Sequence, residues 1–321
     1  MHNFSTNLRQ FLSPEIKEKI ISSLPFRIYS RFLLHQKIIR YSVEITTKCN
    51  VNCSMYTRLE MLNKNKLVIG EIKPKILNKI FSDMKKFIKN DYQVVFAPMG
   101  LGEPLMSRNW KNIFSQAKKI SKNIYIVLVT NGVLLNEETA RELIKIGIDE
   151  ISISLNVNNR SDYQKYMRAA DNYENIKNNI INLLKIRNHK KNSNTKIFIQ
   201  YLDYKNQPKK FTKNIAEWRK LMRDSDKCYV HPIVNQAGFK KKGITQKIVS
   251  AYPCISPLSR VAIRINGDMY PCDPCFYGGN TRIKELYLGN ISKNSFFDLI
   301  NNRQSKIYDI LNLMKNGDYS S

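Results

Sequence analysis

Residues 44–58 read EITTKCNVNCSMYTR, and this stretch decides how the rest of the chain is interpreted. Two cysteines, Cys49 and Cys53, follow an apolar, β-branched segment near residues 42–47 that predicts a strand. A secreted disulfide framework would be small and rich in cysteine, whereas close cysteine pairs in a cytosolic chain more often bind metal. The stretch therefore predicts a metal-binding loop directly after the first strand.

Strand and helix patterns alternate along the chain on both sides of this loop. We predict strands near residues 42–47, 93–98, 124–130, 149–155, 196–202 and 228–234. We predict helices near residues 73–89, 109–121, 136–146, 171–187 and 208–223. Six such βα units indicate a parallel sheet covered by helices, either an open sheet or a partial barrel. Ligands should then bind at the carboxyl ends of the strands.

Length and charge exclude several classes of protein. The 321 residues suffice for one large α/β domain plus a smaller module, and 42% hydrophobic residues exclude wholesale disorder. Lys and Arg number 53 against 26 acidic residues, a net charge of +27. Because these cations are spread along most helices, we expect no nucleic-acid partner, although the charge motivates an RNA-binding alternative.

The sequence gives no sign of a membrane span or a leader. Apolar runs such as Ile124–Val129 are too short to cross a bilayer, and residues 1–12, MHNFSTNLRQFL, lack the pattern of a signal peptide. We therefore expect a cytoplasmic protein without a transmembrane segment.

The cysteine loop resembles that of the radical S-adenosylmethionine (SAM) superfamily, whose signature is Cys-x3-Cys-x2-Cys after the first strand. Cys49 and Cys53 match the first two cysteines, and Met55 occupies the apolar position before the third. The resemblance implies a [4Fe–4S] cluster held by three thiolates, with the fourth iron open to chelation by SAM.

Tyr56 stands where the family has its third cysteine. A phenolate binds iron, but it is a harder ligand with a pKa near ~10, so it substitutes poorly for a thiolate. Three explanations stay open: a substituted or miscopied cysteine, a lineage that has lost the chemistry, and an unusual ligand set.

Further fragments resemble the family in the order that the family has them, at the ends of successive predicted strands. Gly102-Glu103-Pro104 resembles the turn that receives the SAM amino group, and Thr130-Asn131-Gly132 resembles the segment beside the ribose. Ser154 lies in a segment like the family's Ser-Leu-Asp, and Arg168 stands where many members pair an arginine with the SAM carboxylate. The resemblance implies these cofactor-binding residues: Met55, Gly102, Glu103, Asn131, Ser154 and Arg168.

The C-terminal cysteines resemble the SPASM/twitch module of many radical SAM enzymes. Cys254 is followed by the hairpin glycine Gly267 and then by Cys272 and Cys275. The resemblance implies that Cys254, Cys272 and Cys275 bind an auxiliary [4Fe–4S] cluster. Its fourth ligand is open between Cys228, His231, substrate and none, and a structural zinc ion is the rival interpretation.

We therefore expect an α/β fold: a partial (β/α)6 radical SAM barrel with a small C-terminal α+β iron–sulfur module. The predicted division is an N-terminal helical extension at 1–40, the barrel at 41–237 and the SPASM/twitch-like domain at 238–321.

The resemblance implies an enzyme that cleaves SAM to a 5′-deoxyadenosyl radical, which abstracts hydrogen from a peptide, protein or sugar-type substrate. The implied electron donor is an acidic flavodoxin or ferredoxin, which would suit the positive charge. Two alternatives remain: a non-catalytic SAM- or substrate-binding protein without a functional SAM cluster, and an RNA-modifying radical enzyme.

Overall fold

The structure is a computed structural model that describes residues 37–169, 172–204, 211–233, 256–278 and 283–315. Most of the predicted N-terminal helical segment and the predicted linker at 238–247 lie outside these ranges, as does Cys254. Within them, no helix is long and apolar enough to cross a membrane.

The described part of the chain builds one nine-stranded sheet in the order β6-β5-β4-β3-β2-β1-β7-β8-β9. The strands are β1 (Ile38–Val43), β2 (Gln93–Pro98), β3 (Ile124–Thr130), β4 (Glu150–Asn156), β5 (Lys196–Asp203), β6 (Lys227–Pro232), β7 (Arg260–Ile263), β8 (Asp268–Tyr270) and β9 (Gly289–Asn290). Strands β1 to β6 are parallel and in sequential order. Six parallel strands in sequential order are typical of a partial barrel. The predicted parallel sheet with helices between its strands is confirmed.

The first strand lies earlier in the chain than the sequence predicted. The pattern favoured residues 42–47, but β1 covers Ile38–Val43 and therefore begins before the predicted domain boundary at residue 41. Residues after Val43 leave the ladder with β2, and Thr46 pairs instead with Glu71 in an isolated antiparallel bridge. The β-branched residues near 45–47 thus belong to the start of the cysteine loop.

Helices cover the sheet and bury their apolar stripes against it. The helices are α1 (Arg58–Asn63), α2 (Pro74–Lys89), α3 (Trp110–Ile120), α4 (Glu137–Ile146), α5 (Arg160–Met167), α6 (Tyr173–His189), α7 (Thr212–Arg219), α8 (Ser256–Ser259), α9 (Phe296–Asn301) and α10 (Lys306–Lys315). In α2, Ile76, Ile80, Met84 and Phe87 recur at helical spacing and are buried. The sequence did not predict α1 and α5, which flank the cysteine loop.

The C-terminal segment continues the sheet of the barrel. Strand β7 pairs in parallel with β1, and β8 returns antiparallel to β7 around Gly267, whose φ is +89°. The predicted hairpin is therefore present, and it covers the free edge of β1. The single helix predicted near residues 295–313 is two helices, α9 and α10, because the chain turns between Asn302 and Ser305.

Candidate functional site

A cavity with a volume of about 120 Å³ opens at the carboxyl ends of β1 to β4. Its walls come from the cysteine loop, the loops after β2 and β3, the end of β4, the end of α5 and the C-terminal segment. The lining residues are Cys49, Val51, Cys53, Tyr56, Arg58, Met99, Gly100, Leu101, Gly102, Glu103, Val129, Thr130, Asn131, Ser154, Asn156, Met167 and Tyr277. The structure thus brings most of the predicted site residues of the barrel to one place.

The cysteine loop is anchored to the end of α5. The backbone N–H of Asn52 donates to the carbonyl of Met167 at 3.1 Å, and the N–H of Ser54 donates to the carbonyl of Tyr166 at 2.7 Å. The last carbonyls of a helix have no partner inside it, so the loop takes up acceptors that α5 leaves free. Segments more than 100 residues apart in the sequence are joined in this way.

The turn after β2 approaches the cysteine loop so closely that it requires glycine. A Cβ atom on Gly102 would lie 2.1 Å from the carbonyl oxygen of Thr46 and 2.8 Å from that of Lys48. The next residue, Glu103, donates its backbone N–H to the Lys48 carbonyl at 2.7 Å. The glycine therefore allows two loops to share one wall of the cavity.

The Glu103 carboxyl group is buried and held by three donors. Its Oε1 accepts from the Thr130 hydroxyl at 2.8 Å and from the Leu105 N–H at 3.2 Å, and its Oε2 accepts from the Asn131 N–H at 2.7 Å. Burial raises the pKa of Glu103 to about 7, although these hydrogen bonds oppose the rise. The group therefore changes charge near neutral pH in one fixed position.

Amide side chains complete the wall formed by β3 and β4. Asn131 donates from Nδ2 to Asn50 Oδ1 at 2.7 Å, and the same nitrogen lies 4.0 Å from Cys49 Sγ. On β4, the pairing register shifts between Ser154 and Asn156, and Asn156 has a φ of +64°. Such an irregularity turns a side chain out of the strand alternation, and both residues line the cavity.

Tyr56 is packed against the C-terminal segment. Its ring is stacked on Tyr277, with centroids 5.4 Å apart and planes 8° apart. The Thr57 hydroxyl also donates to the Tyr277 carbonyl at 2.8 Å. Burial and, to a smaller extent, the neighbouring Cys53 raise the pKa of the Tyr56 phenol well above its usual range. At neutral pH, Tyr56 is therefore a neutral phenol engaged in protein contacts.

The two thiols of the loop are protonated at neutral pH in the metal-free chain. Burial raises the pKa of Cys53 to about 12, with a further contribution from Cys49, and burial also raises the pKa of Cys49. The sulfur of Cys53 lies 3.8 Å from that of Met167. Metal binding at this loop would release protons, because thiolates rather than thiols are the ligands.

Met55 and Arg168 lie outside the cavity lining. Met55 is 2% exposed and packs in the main core beneath the loop, and Arg168 is exposed at the end of α5 with a φ of +47°. Their roles stay predictions. Sequence reasoning missed Arg58, Met167 and Tyr277, which line the cavity. Proximity to the signature could have indicated Arg58, whereas tertiary packing brings the other two.

The C-terminal cysteines Cys272 and Cys275 form a close pair. Their sulfur atoms lie 3.5 Å apart, at the beginning of a short 3-10 helix, and the side-chain contact with Cys275 lowers the pKa of Cys272. The Arg264 guanidinium donates to the carbonyl of Cys275 and joins this turn to β7. The pair has the proximity that two ligands of one metal centre need.

The other candidate ligands of the auxiliary centre are not seen beside this pair. Cys254 lies outside the described residues, and Cys228 and His231 line a separate cleft along β6. In the ranges that the structure covers, no three histidine, cysteine or acidic side chains form a metal-binding group. The fourth ligand and the choice between iron–sulfur and zinc therefore remain predictions.

Family comparison agrees with the fold and the motifs. The family description "Radical SAM superfamily" matches residues 43–206, and the description "Iron-sulfur cluster-binding domain", the SPASM family, matches residues 254–319. The chain belongs to the radical SAM superfamily. This family is one of enzymes that use a [4Fe–4S] cluster and SAM, and the SPASM domain implies auxiliary iron–sulfur clusters.

Curated relatives are similar over part of their length. The chain is 27% identical over 115 residues to the tungsten-containing aldehyde ferredoxin oxidoreductase cofactor-modifying protein of Pyrococcus furiosus, covering 36% of this chain and 30% of that protein. It is 31% identical over 147 residues to a probable GTP 3′,8-cyclase of Methanococcus maripaludis, covering 45% of each. The matches thus span less than half of these relatives.

Solved structures share the fold at low identity. BtrN in complex with AdoMet and 2-DOIA superposes with a TM-score of 0.54 at 16% identity, over 87% of this chain and 88% of BtrN. Native anSMEcpe with bound AdoMet and Cp18Cys peptide gives a TM-score of 0.55 at 15% identity, over 86% of this chain and 83% of the anSMEcpe chain. The fold predicted from the sequence is confirmed.

The donor set around the cavity fits an iron–sulfur cluster in part. Cys49 and Cys53 line the same wall, and thiolates are the ligands that iron–sulfur clusters take from proteins. Tyr56 does not fit, because its phenol is partly buried, neutral and stacked on Tyr277. The chain thus offers two of the three thiolates that the family signature supplies.

Proposed function

We propose that this chain is a radical SAM enzyme that binds SAM in the cavity and acts on a peptide, protein or sugar-type substrate. The observation that carries the proposal is the convergence of Cys49, Cys53, Glu103, Asn131 and Ser154 on one cavity in a member of this family. When bound, a reduced [4Fe–4S] cluster supplies the electron that cleaves SAM to the hydrogen-abstracting radical.

The chain's own residues would bind the cluster and SAM and would orient them. Cys49 and Cys53 would hold the cluster, and the Glu103 carboxyl would bind the SAM ammonium group by charge and hydrogen bonding. Asn131 and Ser154 would accept and donate hydrogen bonds beside the ribose. Glu103 and Asn131 are buried, which limits the access of water to their side of the cavity.

The substrate class is proposed from the structural neighbours and the C-terminal module. BtrN was solved with 2-DOIA and anSMEcpe with a peptide, and both share the fold of this chain. Cys254, Cys272 and Cys275 would hold an auxiliary cluster in the domain predicted at 238–321. For the electron donor, the net charge of +27 complements an acidic flavodoxin or ferredoxin.

The test is anaerobic reconstitution with iron and sulfide, followed by reduction in the presence of SAM. We expect 5′-deoxyadenosine and methionine in equal amounts from the native chain, and neither product from a Cys49→Ser, Cys53→Ser double variant. Equal product from the native chain and the double variant would refute the assignment of this loop.

Tyr56 favours a second candidate function, a SAM-binding protein that has lost the cluster. Two thiolates and a neutral phenol are a weaker ligand set than three thiolates. In that case the native chain would bind SAM by equilibrium dialysis but would form no 5′-deoxyadenosine, and iron would be bound by the C-terminal cysteines alone. Product formation by the native chain rejects this second candidate.

A further inference from the structure

Arg58 joins the two backbone segments that carry the cysteines of the loop. It lies at the first position of α1 and lines the cavity, and its side chain is buried with a relative exposure of 7%. Its Nη2 donates to the carbonyl of Thr47 at 3.1 Å, and its Nη1 donates to Asn52 Oδ1 at 3.2 Å. Thr47 stands two residues before Cys49, and Asn52 directly precedes Cys53.

One nitrogen atom of the Arg58 guanidinium, Nε, has no hydrogen-bond partner in the part of the chain that the structure describes. This atom is buried, and among the described residues no carboxylate lies within ion-pair distance of the guanidinium. Leaving a buried N–H unsatisfied costs about 1–3 kcal/mol, and more for a charged group. A buried cation with a free donor, in a cavity that also holds two thiols, is suited to an anionic sulfur group.

We propose that Arg58 is the positioning residue of the cysteine loop. Its guanidinium fixes the segments before Cys49 and Cys53, and its Nε–H is the donor for the anionic sulfur of a cluster bound by those cysteines. The donor part of this proposal, the hydrogen bond from Nε–H to a cluster sulfur, rests on the proposed function. The positioning part, the two hydrogen bonds that fix the loop, concerns the metal-free chain. Arginine suits this role because its planar fork reaches two acceptors at fixed angles, which a lysine ammonium does not.

The positioning part is tested on the metal-free chain by hydrogen–deuterium exchange. In Arg58→Met, we expect amides of residues 47–58 to exchange at least fivefold faster than in the native chain. The matched control is Arg141→Met, an exposed arginine on α4, in which these amides should exchange as in the native chain. Unchanged exchange in Arg58→Met would overturn the positioning role.

The donor part is tested on the reconstituted chain, with SAM absent. The iron bound at the loop is the iron content per chain minus the iron content per chain of the Cys49→Ser, Cys53→Ser variant. In Arg58→Met, we expect at least threefold less retained iron and a more negative midpoint potential, because a positive charge near the cluster is lost. Arg58→Lys should restore most of the potential but less of the iron, since it returns the charge without the fork.

The outcomes separate this inference from the proposed function. Native-like iron retention and midpoint potential in Arg58→Met would overturn the donor part even if the native chain cleaves SAM. If the native chain retains no iron at Cys49 and Cys53, the donor part falls together with the proposed function, and the exchange measurement decides the positioning role separately.

Discussion

At the scale of single residues, position 56 decides how well the cavity holds iron. Replacing Tyr56 by Cys supplies the third thiolate, so we expect the iron bound at the loop to rise at least about twofold. The measurement is iron per chain after anaerobic reconstitution, relative to the Cys49→Ser, Cys53→Ser background.

Tyr56→Phe is the matched control for this substitution. It keeps the ring that stacks on Tyr277 and removes the hydroxyl group, so the iron content should equal that of the native chain. A Tyr56→Cys chain with native iron content would show that position 56 does not face the cluster site. Lower iron in Tyr56→Phe would show instead that the phenol is a ligand.

Two buried carboxyl groups make stability depend on pH. Burial raises the pKa of Glu44 and of Glu103 from the ordinary value of 4.5 to about 7. Because the folded chain binds these protons more tightly than the unfolded chain, the stabilisation is fully present below pH 4.5 and is lost as pH rises through about 7. Each group contributes about 3 kcal/mol to this loss.

The measurement is urea unfolding of the metal-free chain at several values between pH 4.5 and 8. We expect the contribution of these groups to the free energy of unfolding to fall with rising pH. In Glu103→Gln, the free energy of unfolding should depend less on pH between 4.5 and 8. A Glu103→Gln chain with the native pH dependence would contradict the raised pKa of this group.

The sequence predicted that certain loops meet at the carboxyl ends of the strands, but it did not predict which other residues pack against them. Cys49 and Glu103 follow predicted strands, and parallel strands bring their carboxyl ends together, so their convergence was predictable. Tyr277 reaches the cavity through tertiary packing of the C-terminal segment, which leaves no periodic signal. Arg168 was placed by family position, whereas the structure leaves it exposed at the end of α5.

At the scale of elements, Asp83 ties α2 to both β1 and α9. Its Oδ2 accepts from the Tyr41 hydroxyl at 2.6 Å and from the Phe296 N–H at 3.2 Å, and its Oδ1 accepts from the Ser295 hydroxyl. Removing this acceptor leaves buried donors unsatisfied. We expect Asp83→Ala to lower the free energy of unfolding by about 2–4 kcal/mol in urea titrations.

A surface ion pair provides the comparison for Asp83. Glu138 on α4 lies 3.3 Å from Lys111, but its side chain is 83% exposed. Water screens such a pair, so Glu138→Gln should change the free energy of unfolding by less than about 1 kcal/mol. Equal effects of the two substitutions would contradict the structural role of Asp83.

Element boundaries show where sequence patterns fail. Residues 45–47 are β-branched and look like a strand, yet the ladder ends at Val43 because Thr46 pairs with the segment that carries Glu71. The buried stripe of α2 was predictable, because its apolar residues repeat at helical spacing. Strand propensity reports local fit to a pleated surface, and pairing partners decide the register.

At the scale of the whole molecule, the C-terminal segment is part of the barrel sheet. Strand β7 pairs with β1, and Val261 and Ile263 are fully buried there. A chain that ends after residue 255 would expose this edge and its core. We expect it to be insoluble or to lose cooperative thermal unfolding by circular dichroism.

Cooperative unfolding of the shortened chain at the midpoint of the full-length chain would contradict this view. The sequence predicted a separate small module at 238–321, and its hairpin is present. The continuity of β7 with β1 could not be read from the sequence, because sheet pairing between residues more than 200 apart has no local signature. The boundary at residues 237 and 238 stays a prediction.

The most direct test is reductive SAM cleavage by the native chain after anaerobic reconstitution, measured as 5′-deoxyadenosine by chromatography. We predict product from the native chain, more from Tyr56→Cys and none from the Cys49→Ser, Cys53→Ser variant. No product from the native chain would contradict the proposed function.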